Sequence, residues 1–180
     1  MATTLCGWMA RISARLSPRF APIDETQPLL PNWSHALAKL LGETMAEQFV
    51  RWHPARTIIS LRFSNAYAGA DYGAEPAIQA DPANRKWNLW SYIDAEDVAQ
   101  ACCCALEAPL TGHEAFIIAA ADNVAGQPSR DLMAAHFSGV PLAETLVGEA
   151  SLLSSARAGE RIGFSPKFSW RNRVLSAASG

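Results

Sequence analysis

One stretch of seven residues limits what this chain can fold into. Residues 57–63 read Thr-Ile-Ile-Ser-Leu-Arg-Phe, a run of β-branched and apolar side chains that predicts a mostly buried strand. A helical pattern precedes this run, with apolar side chains at spacings of three and four residues from Leu37 to Phe49. A helix followed directly by a buried strand is typical of βα repeats. The sequence therefore predicts an α/β protein with a parallel sheet.

The composition fits one ordinary folded domain. The chain has 180 residues, of which 49% are apolar and 18% are charged, and these fractions exclude a disordered or fibrous segment. Its net charge of -2 provides no positive field for nucleic acid. Charges interrupt every long apolar stretch, so no run approaches the roughly 18 apolar residues of a membrane helix. We therefore expect a soluble, cytoplasmic protein that binds neither nucleic acid nor membrane.

Three of the four cysteines are consecutive, at Cys102, Cys103 and Cys104. Neighbouring residues of a helix point about 100° apart, so this triplet forms neither a metal-binding face nor an easy mutual disulfide. The pattern predicts reduced, partly buried thiols, and we expect no metal site.

The helix before the strand has recognisable ends. Ser34 is a predicted N-cap, because its hydroxyl can accept from a free amide of the first turn. His53-Pro54 is the predicted stop, because the residue before a proline avoids helical geometry. Between these ends, an apolar stripe is predicted along one face, formed by Leu37, Leu40, Leu41, Met45 and Phe49.

The same helix carries an imidazole and an ammonium four residues apart, at His35 and Lys39. One turn separates them, so both side chains reach the same patch of surface. A proton-transfer group beside a fixed positive charge suits chemistry at a carbonyl or hydroxyl, because the cation favours the deprotonated partner. The pair is therefore a candidate catalytic site.

A polar loop follows the predicted strand over residues 64–73. Open α/β sheets bind their ligands at the carboxyl ends of parallel strands. Position therefore adds to chemistry at four side chains of this loop, which are Asn65, Tyr67, Asp71 and Tyr72.

The rest of the chain predicts alternating elements. Residues 95–106 form an alanine-rich helix with Asp94 and Asp97 in its first turn, where carboxylates act as caps. The other predicted elements are a short aromatic strand or extended segment at 87–93, a buried strand at 115–120, a helix capped by Ser129 that runs to about Phe137, a short strand at 141–147, a short helix at 151–159 and a tail anchored by Trp170.

Five segments, in this order and spacing, resemble the carboxyl-terminal part of the NAD-dependent epimerase/dehydratase family, the extended short-chain dehydrogenases that act largely on nucleotide sugars. The segments are Pro22-Ile23-Asp24-Glu25, Ala38-Lys39-Leu40-Leu41-Gly42-Glu43, Leu61-Arg62-Phe63-Ser64-Asn65-Ala66-Tyr67, the run from Trp90 to Ala99 and the run from Gly163 to Arg171. The resemblance covers residues 20–173 and leaves 1–19 as an N-terminal extension and 174–180 as a tail. It implies an incomplete Rossmann-like parallel sheet with a small α/β substrate-binding lobe.

The resemblance also implies a catalytic pair and a cofactor. In such enzymes a tyrosine four residues before a lysine moves the proton, the nicotinamide moves the hydride, and the lysine also binds the nicotinamide ribose. Lys39 matches the lysine, and His35 stands at the position of the tyrosine. The implied cofactor is NAD or NADP, bound by Lys39, Ser64 and Asn65. The implied substrate is a sugar or nucleotide-sugar, contacted by Asn65, Tyr67 and Tyr92. Arg85 and Lys86 are two further candidates for substrate binding, because their positive charges can meet a phosphate.

Two departures from the family pattern limit the expected activity. A histidine has an ordinary pKa near 6.5 and a tyrosine one near 10, so an imidazole is mostly a proton acceptor at neutral pH. None of the eleven glycines forms the glycine-rich turn that holds a dinucleotide pyrophosphate. We therefore expect a truncated oxidoreductase or epimerase that is inactive or weak by itself.

Two alternatives stay open at this point. The chain is then either a non-catalytic binding or oligomerisation module, with the sheet edge covered by a partner such as a second copy in a homodimer, or an inactive gene fragment.

Overall fold

The structure is a computed structural model that describes residues 17–177. Residues 1–16 and 178–180 lie outside the described part, and with them most of the extension predicted at 1–19 and the end of the tail predicted at 174–180. The helices are α1 (Ser34–Trp52), α2 (Glu75–Ala80), α3 (Ala95–Glu107), α4 (Ser129–His136), α5 (Ala156–Ile162) and α6 (Trp170–Ala177), and two 3-10 helices span Gly69–Ala74 and Pro82–Asn88. The strands are β1 (Thr57–Phe63), β2 (Ala66–Tyr67), β3 (Ile93–Asp94) and β4 (Gly112–Ile118).

The predicted parallel sheet is confirmed. β1 and β4 lie side by side in the same direction, paired from Thr57 with Gly112 to Phe63 with Ile118. Alternate residues of β1 face α3 and α5, since successive side chains of a strand point to opposite faces. This face forms one hydrophobic core, whose buried members include Ile59, Leu61, Phe63, Phe116, Ile118 and Phe164.

Side chains close the outer edge of β4 near its carboxyl end. The Glu25 carboxylate accepts a hydrogen bond of 2.7 Å from the Ile117 amide. Just past the strand, the Ser155 hydroxyl accepts one of 2.9 Å from the Ala119 amide. These contacts satisfy backbone donors that a neighbouring strand would otherwise take.

The apolar stripe of α1 faces outward. Five large apolar side chains along α1 are between 42% and 66% exposed, and we call them the α1 stripe; they are Leu37, Leu41, Met45, Phe49 and Trp52. The buried residues of the helix are Ala36, Glu43 and Ala46. An amphipathic pattern usually marks the core side of a helix, but here the sheet beneath α1 is polar.

A polar layer explains this orientation of α1. The Arg62 guanidinium of β1 donates two hydrogen bonds to the Glu43 carboxylate, at 2.7 and 2.9 Å, and both side chains are 8% exposed. Beside them the Ser60 hydroxyl lies 2.9 Å from the His113 imidazole, whose pKa is lowered by burial. Small alanines let α1 approach this layer closely, so the bulky side chains remain on the outside.

The predicted end of α1 is confirmed, but its predicted cap is wrong. The helix ends at Trp52, directly before His53-Pro54. Ser34 is the first helical residue, and Trp33 is the N-cap, with the extended backbone of that position (φ −156°, ψ 161°) and no side-chain hydrogen bond.

A second hydrophobic core forms the small lobe. β2 and β3 pair in parallel over two residues each, and this short ladder joins the segments that follow β1 and precede α3. Four aromatic side chains of the lobe, Tyr67, Tyr72, Trp90 and Tyr92, are buried in this core. The predicted α/β architecture, a parallel sheet with a small lobe, is therefore confirmed.

The extended segment predicted at 87–93 is mostly wrong. The 3-10 helix continues to Asn88, and Leu89 and Trp90 then adopt left-handed backbone conformations with φ of 55° and 52°. Such conformations are costly for residues with a Cβ and persist only where surrounding contacts fix them. Here the Asn88 amide donates to the Ser91 carbonyl at 3.0 Å, and both Leu89 and Trp90 are fully buried.

Tertiary contacts move other predicted boundaries. Ser129 is the first residue of α4 and caps nothing, because its hydroxyl donates to the Ala150 carbonyl at 2.5 Å. The predicted strand at 141–147 is reduced to a single bridge between Ala21 and Leu142. The helix predicted at 151–159 begins later, as α5. Trp170 anchors the tail as predicted, since its indole donates to the Asn123 carbonyl at 3.0 Å.

Across residues 17–177, no helix has the length and apolarity needed to cross a membrane. In the same range, no group of three or more histidine, cysteine or acidic side chains is arranged to hold a metal ion. In the cysteine triplet, Cys103 is exposed and its two neighbours are partly buried.

Candidate functional site

The Glu43–Arg62 ion pair beneath α1 shows where along the sheet His35 and Lys39 lie. Only four residues separate α1 from β1, so the helix and strand run in opposite directions. Glu43 meets Arg62 near the carboxyl end of β1, and Lys39 lies one turn further in that direction. Lys39 is half-buried and His35 is exposed, with its ring 5.3 Å from that of Trp33. Among the described hydrogen bonds, none joins the two side chains.

A compact polar cluster lies just past the carboxyl end of β1. The Arg85 guanidinium donates to the Tyr67 hydroxyl at 2.9 Å. In the amide orientation that satisfies both partners, the Asn65 side-chain oxygen accepts from the same guanidinium at 3.1 and 3.3 Å. The guanidinium also lies 5.3 Å from the Trp87 ring and 5.7 Å from the Tyr67 ring. Three predicted substrate-binding residues are therefore in direct contact, although 18 residues or more separate Arg85 from the others.

Tyr67 is held as a neutral phenol at the centre of this cluster. Burial raises its pKa, the nearby Arg85 opposes that effect, and the carboxylates of Glu75 and Asp71 add to it. Its ring packs against those of Tyr72 and Tyr92, at centroid distances of 5.4 and 5.6 Å. The aromatic packing keeps the Tyr67 hydroxyl beside the guanidinium.

Three other predicted site residues lie elsewhere or are used inside the protein. The buried Ser64 hydroxyl donates to Ser91 at 2.9 Å. The Tyr92 hydroxyl donates to the Asp122 carboxylate at 2.5 Å and accepts from the Trp170 amide at 2.8 Å. Lys86 is exposed on the 3-10 helix. Ser64 and Tyr92 therefore hold neighbouring segments of the protein together. In the polar cluster, the hydrogen bonds to Asn65 and Tyr67 come from Arg85.

Three aspartates dock the carboxyl-terminal segment against the lobe. Asp97 was predicted as a helix cap, but its buried carboxylate instead accepts from the backbone amides of Lys167 and Phe168 at 2.9 to 3.1 Å. Asp122 accepts from Ser169 at 2.7 Å and from Arg171 at 2.8 Å. Asp94 caps α3 as predicted, accepting from the Glu96 amide at 2.8 Å, and also binds the tail.

Asp94 joins the tail to the aromatic core through two side chains. It accepts from the Tyr72 hydroxyl at 2.6 Å and from the Arg173 guanidinium at 2.9 and 3.1 Å. Burial opposes ionisation of this carboxyl group, but the hydrogen bonds from Arg173, Tyr72 and the Glu96 amide together hold its pKa below the usual range. Burial raises the pKa of Tyr72, and its hydrogen bond to Asp94 raises it further.

We expect the stability contributed by Asp94 to depend on pH. A carboxyl group whose pKa is lower in the folded state stabilises the protein above its unfolded pKa of about 3.9, and this contribution is lost as pH falls through the folded value. Asp94→Asn should therefore destabilise the chain by about 2 kcal/mol at pH 7, because hydrogen bonds to a charge are lost. The difference from wild type, measured by urea unfolding at pH 7 and pH 2.5, should shrink at the lower pH. An equal difference at both values would contradict this role.

One acidic residue beside the cluster gave no signal in the sequence. Glu75 begins α2, is 1% exposed, and lies close enough to Arg85 and Tyr67 for its charge to affect both side chains. Residues 74–89 show no period that predicts which side chains are buried. The burial of Glu75 depends on the fold of the whole lobe.

No protein-family model matches the chain, and no curated protein sequence matches it. Solved structures do match it in fold. A short-chain dehydrogenase/reductase superfamily protein from Agrobacterium tumefaciens with bound NAD superposes with a TM-score of 0.65 at 20% identity, over 99% of this chain and 66% of that protein. RMD from Pseudomonas aeruginosa, complexed with NADPH, gives 0.61 at 15% identity, over 95% and 63%.

A nucleotide-sugar enzyme shows the same likeness. UDP-N-acetylglucosamine 4-epimerase from Bacillus cereus superposes with a TM-score of 0.58 at 18% identity, over 93% of this chain and 58% of that protein. This chain has the short-chain dehydrogenase/reductase fold. It spans about three fifths of the length of these structures of that fold.

Proposed function

We propose that this chain is a member of the NAD-dependent epimerase/dehydratase group of short-chain dehydrogenases and binds a nucleotide-sugar at the Asn65–Tyr67–Arg85 cluster. The observation that carries the proposal is the guanidinium of Arg85, oriented by Asn65 and Tyr67 just past the carboxyl end of β1. This is the edge at which open α/β sheets bind ligands. Solved structures of the same fold include complexes with UDP and with UDP-glucuronic acid.

The chemistry of the cluster suits a diphosphate. A guanidinium offers planar paired donors that match phosphate oxygens, and hydrogen bonds between charged groups are the strong ones. Two neutral partners hold Arg85 in place, and the nearby acid Glu75 forms no ion pair with it in the described part of the chain. The positive charge is therefore available to an anionic ligand. A ring of the ligand that stacked on the Arg85 guanidinium would also lie close to Trp87, whose ring is 5.3 Å from that guanidinium.

The proposed cofactor is NAD or NADP, beside Lys39. When bound, the nicotinamide would supply hydride transfer, and the Lys39 ammonium would donate to a ribose hydroxyl. His35 is exposed, and its imidazole is the proposed partner for proton transfer with a substrate hydroxyl. Because the chain lacks a glycine-rich turn for the pyrophosphate, the proposed activity of this chain by itself is weak or absent. The cytoplasmic location also stays a prediction.

Binding of UDP tests the proposal directly. We expect isothermal titration calorimetry to detect UDP binding to the purified chain, and Arg85→Ala to weaken it by about 10- to 100-fold, because charge-assisted hydrogen bonds to the phosphates are lost. Arg56→Ala is the matched control, since it removes an exposed arginine that lies before β1. Absence of UDP binding, or equal loss in both variants, would overturn the proposed site.

Restoring a tyrosine at position 35 tests the catalytic pair. We expect His35→Tyr to raise hydride transfer from a UDP-sugar to NAD, followed as NADH fluorescence, because a phenol beside Lys39 is the acid and base that this reaction uses. Lys39→Met in the same background should abolish the gain. Lack of cofactor binding at millimolar NADH would remove the enzymatic part of the proposal and leave the nucleotide-sugar site.

The second proposal concerns the α1 stripe, which we infer to be the interface of a homodimer. A row of exposed apolar side chains along a 19-residue helix is more than a monomer usually leaves in water. The stripe carries no charge, so a second copy of the same surface can cover it without burying an unpaired ion. This proposal is compatible with an enzyme and with a non-catalytic oligomerisation module.

We expect Met45→Glu to make the chain monomeric. Met45 is 55% exposed in the middle of the stripe, and a carboxylate there would be buried without a partner in the dimer, which should raise the dissociation constant about 100-fold or more. Multi-angle light scattering measures the change in mass. Leu106→Glu, at a 64% exposed leucine of α3, is the matched control. A wild-type chain that is still monomeric when its concentration in the light-scattering measurement is raised 100-fold would contradict the proposal. Dissociation in both variants would contradict it too.

A further inference from the structure

Two aromatic rings connect the Asn65–Tyr67–Arg85 cluster with a distant part of the chain. The Tyr67 ring, whose hydroxyl accepts from Arg85, contacts the rings of Tyr72 and Tyr92 at centroid distances of 5.4 and 5.6 Å. All three tyrosines are buried, with exposed fractions of 0 to 6%. A closely packed interior passes a displacement of one side chain on to its neighbours. The positions of Tyr72 and Tyr92 therefore limit where the Tyr67 hydroxyl can lie.

Tyr72 is joined to the carboxyl-terminal segment, residues 165–173, through one aspartate. Its hydroxyl donates to Asp94 at 2.6 Å, and Asp94 accepts from the Arg173 guanidinium at 2.9 and 3.1 Å. Asp94 is 2% exposed, so its carboxylate depends on these donors and not on water. Hydrogen bonds to one buried group polarise one another. The bond that holds Tyr72 therefore changes when Arg173 leaves.

Tyr92 reaches the same segment through a different aspartate. Its hydroxyl donates to Asp122 at 2.5 Å and accepts from the Trp170 amide at 2.8 Å. Asp122 also accepts from the Arg171 guanidinium at 2.8 Å. Burial raises the pKa of Tyr92, and its bond to Asp122 raises it further, so the phenol stays a donor. Both rings that contact Tyr67 are thus held at their hydroxyls by aspartates that bind the carboxyl-terminal segment.

We propose that the carboxyl-terminal segment positions the ligand-binding cluster, so that docking of this segment and binding of a nucleoside diphosphate at Arg85 stabilise each other. The inference rests on the proposed function, because its ligand is the one assigned to Arg85. With the segment docked, Tyr72 and Tyr92 are fixed and Tyr67 orients the guanidinium. With the segment released, both tyrosines lose part of their hydrogen-bond network and the guanidinium is less ordered. Binding events coupled in this way change each other by the same factor.

Hydrogen exchange measures one side of this coupling. Exchange of the amides of residues 165–173 follows local opening of the segment. Because the open form binds UDP more weakly, saturating UDP should slow this exchange by about tenfold, a typical coupling factor. The double variant Tyr72→Phe/Tyr92→Phe keeps both rings and removes both hydroxyls. It should still bind UDP, but UDP should no longer slow exchange of the segment.

Isothermal titration calorimetry measures the other side. Asp97→Ala should release the segment, and Asp97 bonds to Lys167 and Phe168 and to neither tyrosine among the described hydrogen bonds. We expect it to weaken UDP by about tenfold, the same factor as in hydrogen exchange. Arg173→Lys keeps the positive charge and loses the paired bonds to Asp94, so it should act in the same direction. Glu107→Ala, at the exposed end of α3, is the matched control and should bind UDP as wild type does.

The outcomes separate this inference from the function on which it rests. UDP binding that leaves exchange of residues 165–173 unchanged would overturn the coupling and leave the UDP site in place. Unchanged UDP affinity in a variant whose segment is released would overturn it too, as would a segment that stays docked in both Asp97→Ala and Arg173→Lys. An undiminished effect of UDP on exchange in the double variant, or in Tyr72→Phe if the double variant does not fold, would overturn the route through the tyrosines. No binding of UDP by wild type overturns both proposals.

Discussion

Replacing Glu43 with alanine is expected to lower the free energy of unfolding by about 3–5 kcal/mol. The Glu43 carboxylate accepts two hydrogen bonds from Arg62, and both side chains are 8% exposed between α1 and β1. The variant would remove the carboxylate that accepts two hydrogen bonds from the buried guanidinium, and the loss of this buried ion pair is the source of the large effect. A loss of this size approaches the whole stability of many domains.

Urea unfolding followed by circular dichroism measures the change. Glu47→Ala, at an exposed acid one turn further along α1, is the matched control and should change stability by less than about 0.5 kcal/mol. The double variant Glu43→Leu/Arg62→Leu should recover most of the loss, because apolar pairs of similar volume often replace buried ion pairs without cost. A loss below about 1 kcal/mol in Glu43→Ala would show that the pair is not buried in solution.

The second large effect is expected at Asp97. Its carboxylate is 1% exposed and accepts from the amides of Lys167 and Phe168, so Asp97→Ala would leave two backbone donors without an acceptor. At about 1–3 kcal/mol for each orphaned donor, we expect a loss of about 2–6 kcal/mol. Because the contact joins positions 70 residues apart, the effect should include local release of the carboxyl-terminal segment.

Hydrogen exchange locates this release. Amides of residues 165–173 should lose protection in Asp97→Ala well before those of β1 and β4, because the sheet does not depend on this contact. Glu107→Ala, at the exposed end of the same helix, serves as the control. Uniform loss of protection across the chain would mean that the segment is part of the global folding unit and not docked separately.

Local pattern predicted the elements whose residues decide their own structure. β1, β4, α1 and α3 follow from β-branched runs and helical spacing, and their parallel arrangement follows from the order of helix and strand. The stripe on α1 was also visible in the sequence. Its outward direction was not, because periodicity identifies an apolar face but not what lies opposite. That direction depends on Arg62, Ser60 and His113 in a polar sheet surface.

The candidate site was also predictable from the sequence only in part. The resemblance to a family identified Asn65 and Tyr67, and its positive charge made Arg85 a candidate for phosphate binding. The contacts among these three residues required the fold of the lobe. Asp97 resembled a helix cap in the sequence. Its real partners lie 70 and 71 residues away, where local pattern gives no sign of them. Glu75 lacked any sequence signal, because an acidic residue in an unpatterned segment is usually solvated. Both cases are buried charges, whose roles are set by distant chain segments.

The closed edge of β4 determines where this sheet can grow. Glu25 and Ser155 occupy the backbone donors near the carboxyl end of β4, so an incoming strand finds no free ladder there. Growth is therefore directional, and additional strands, from the same polypeptide or from another, would be added beside β1. A library of split or fused versions of this chain should accept new strands on that side and reject them on the other.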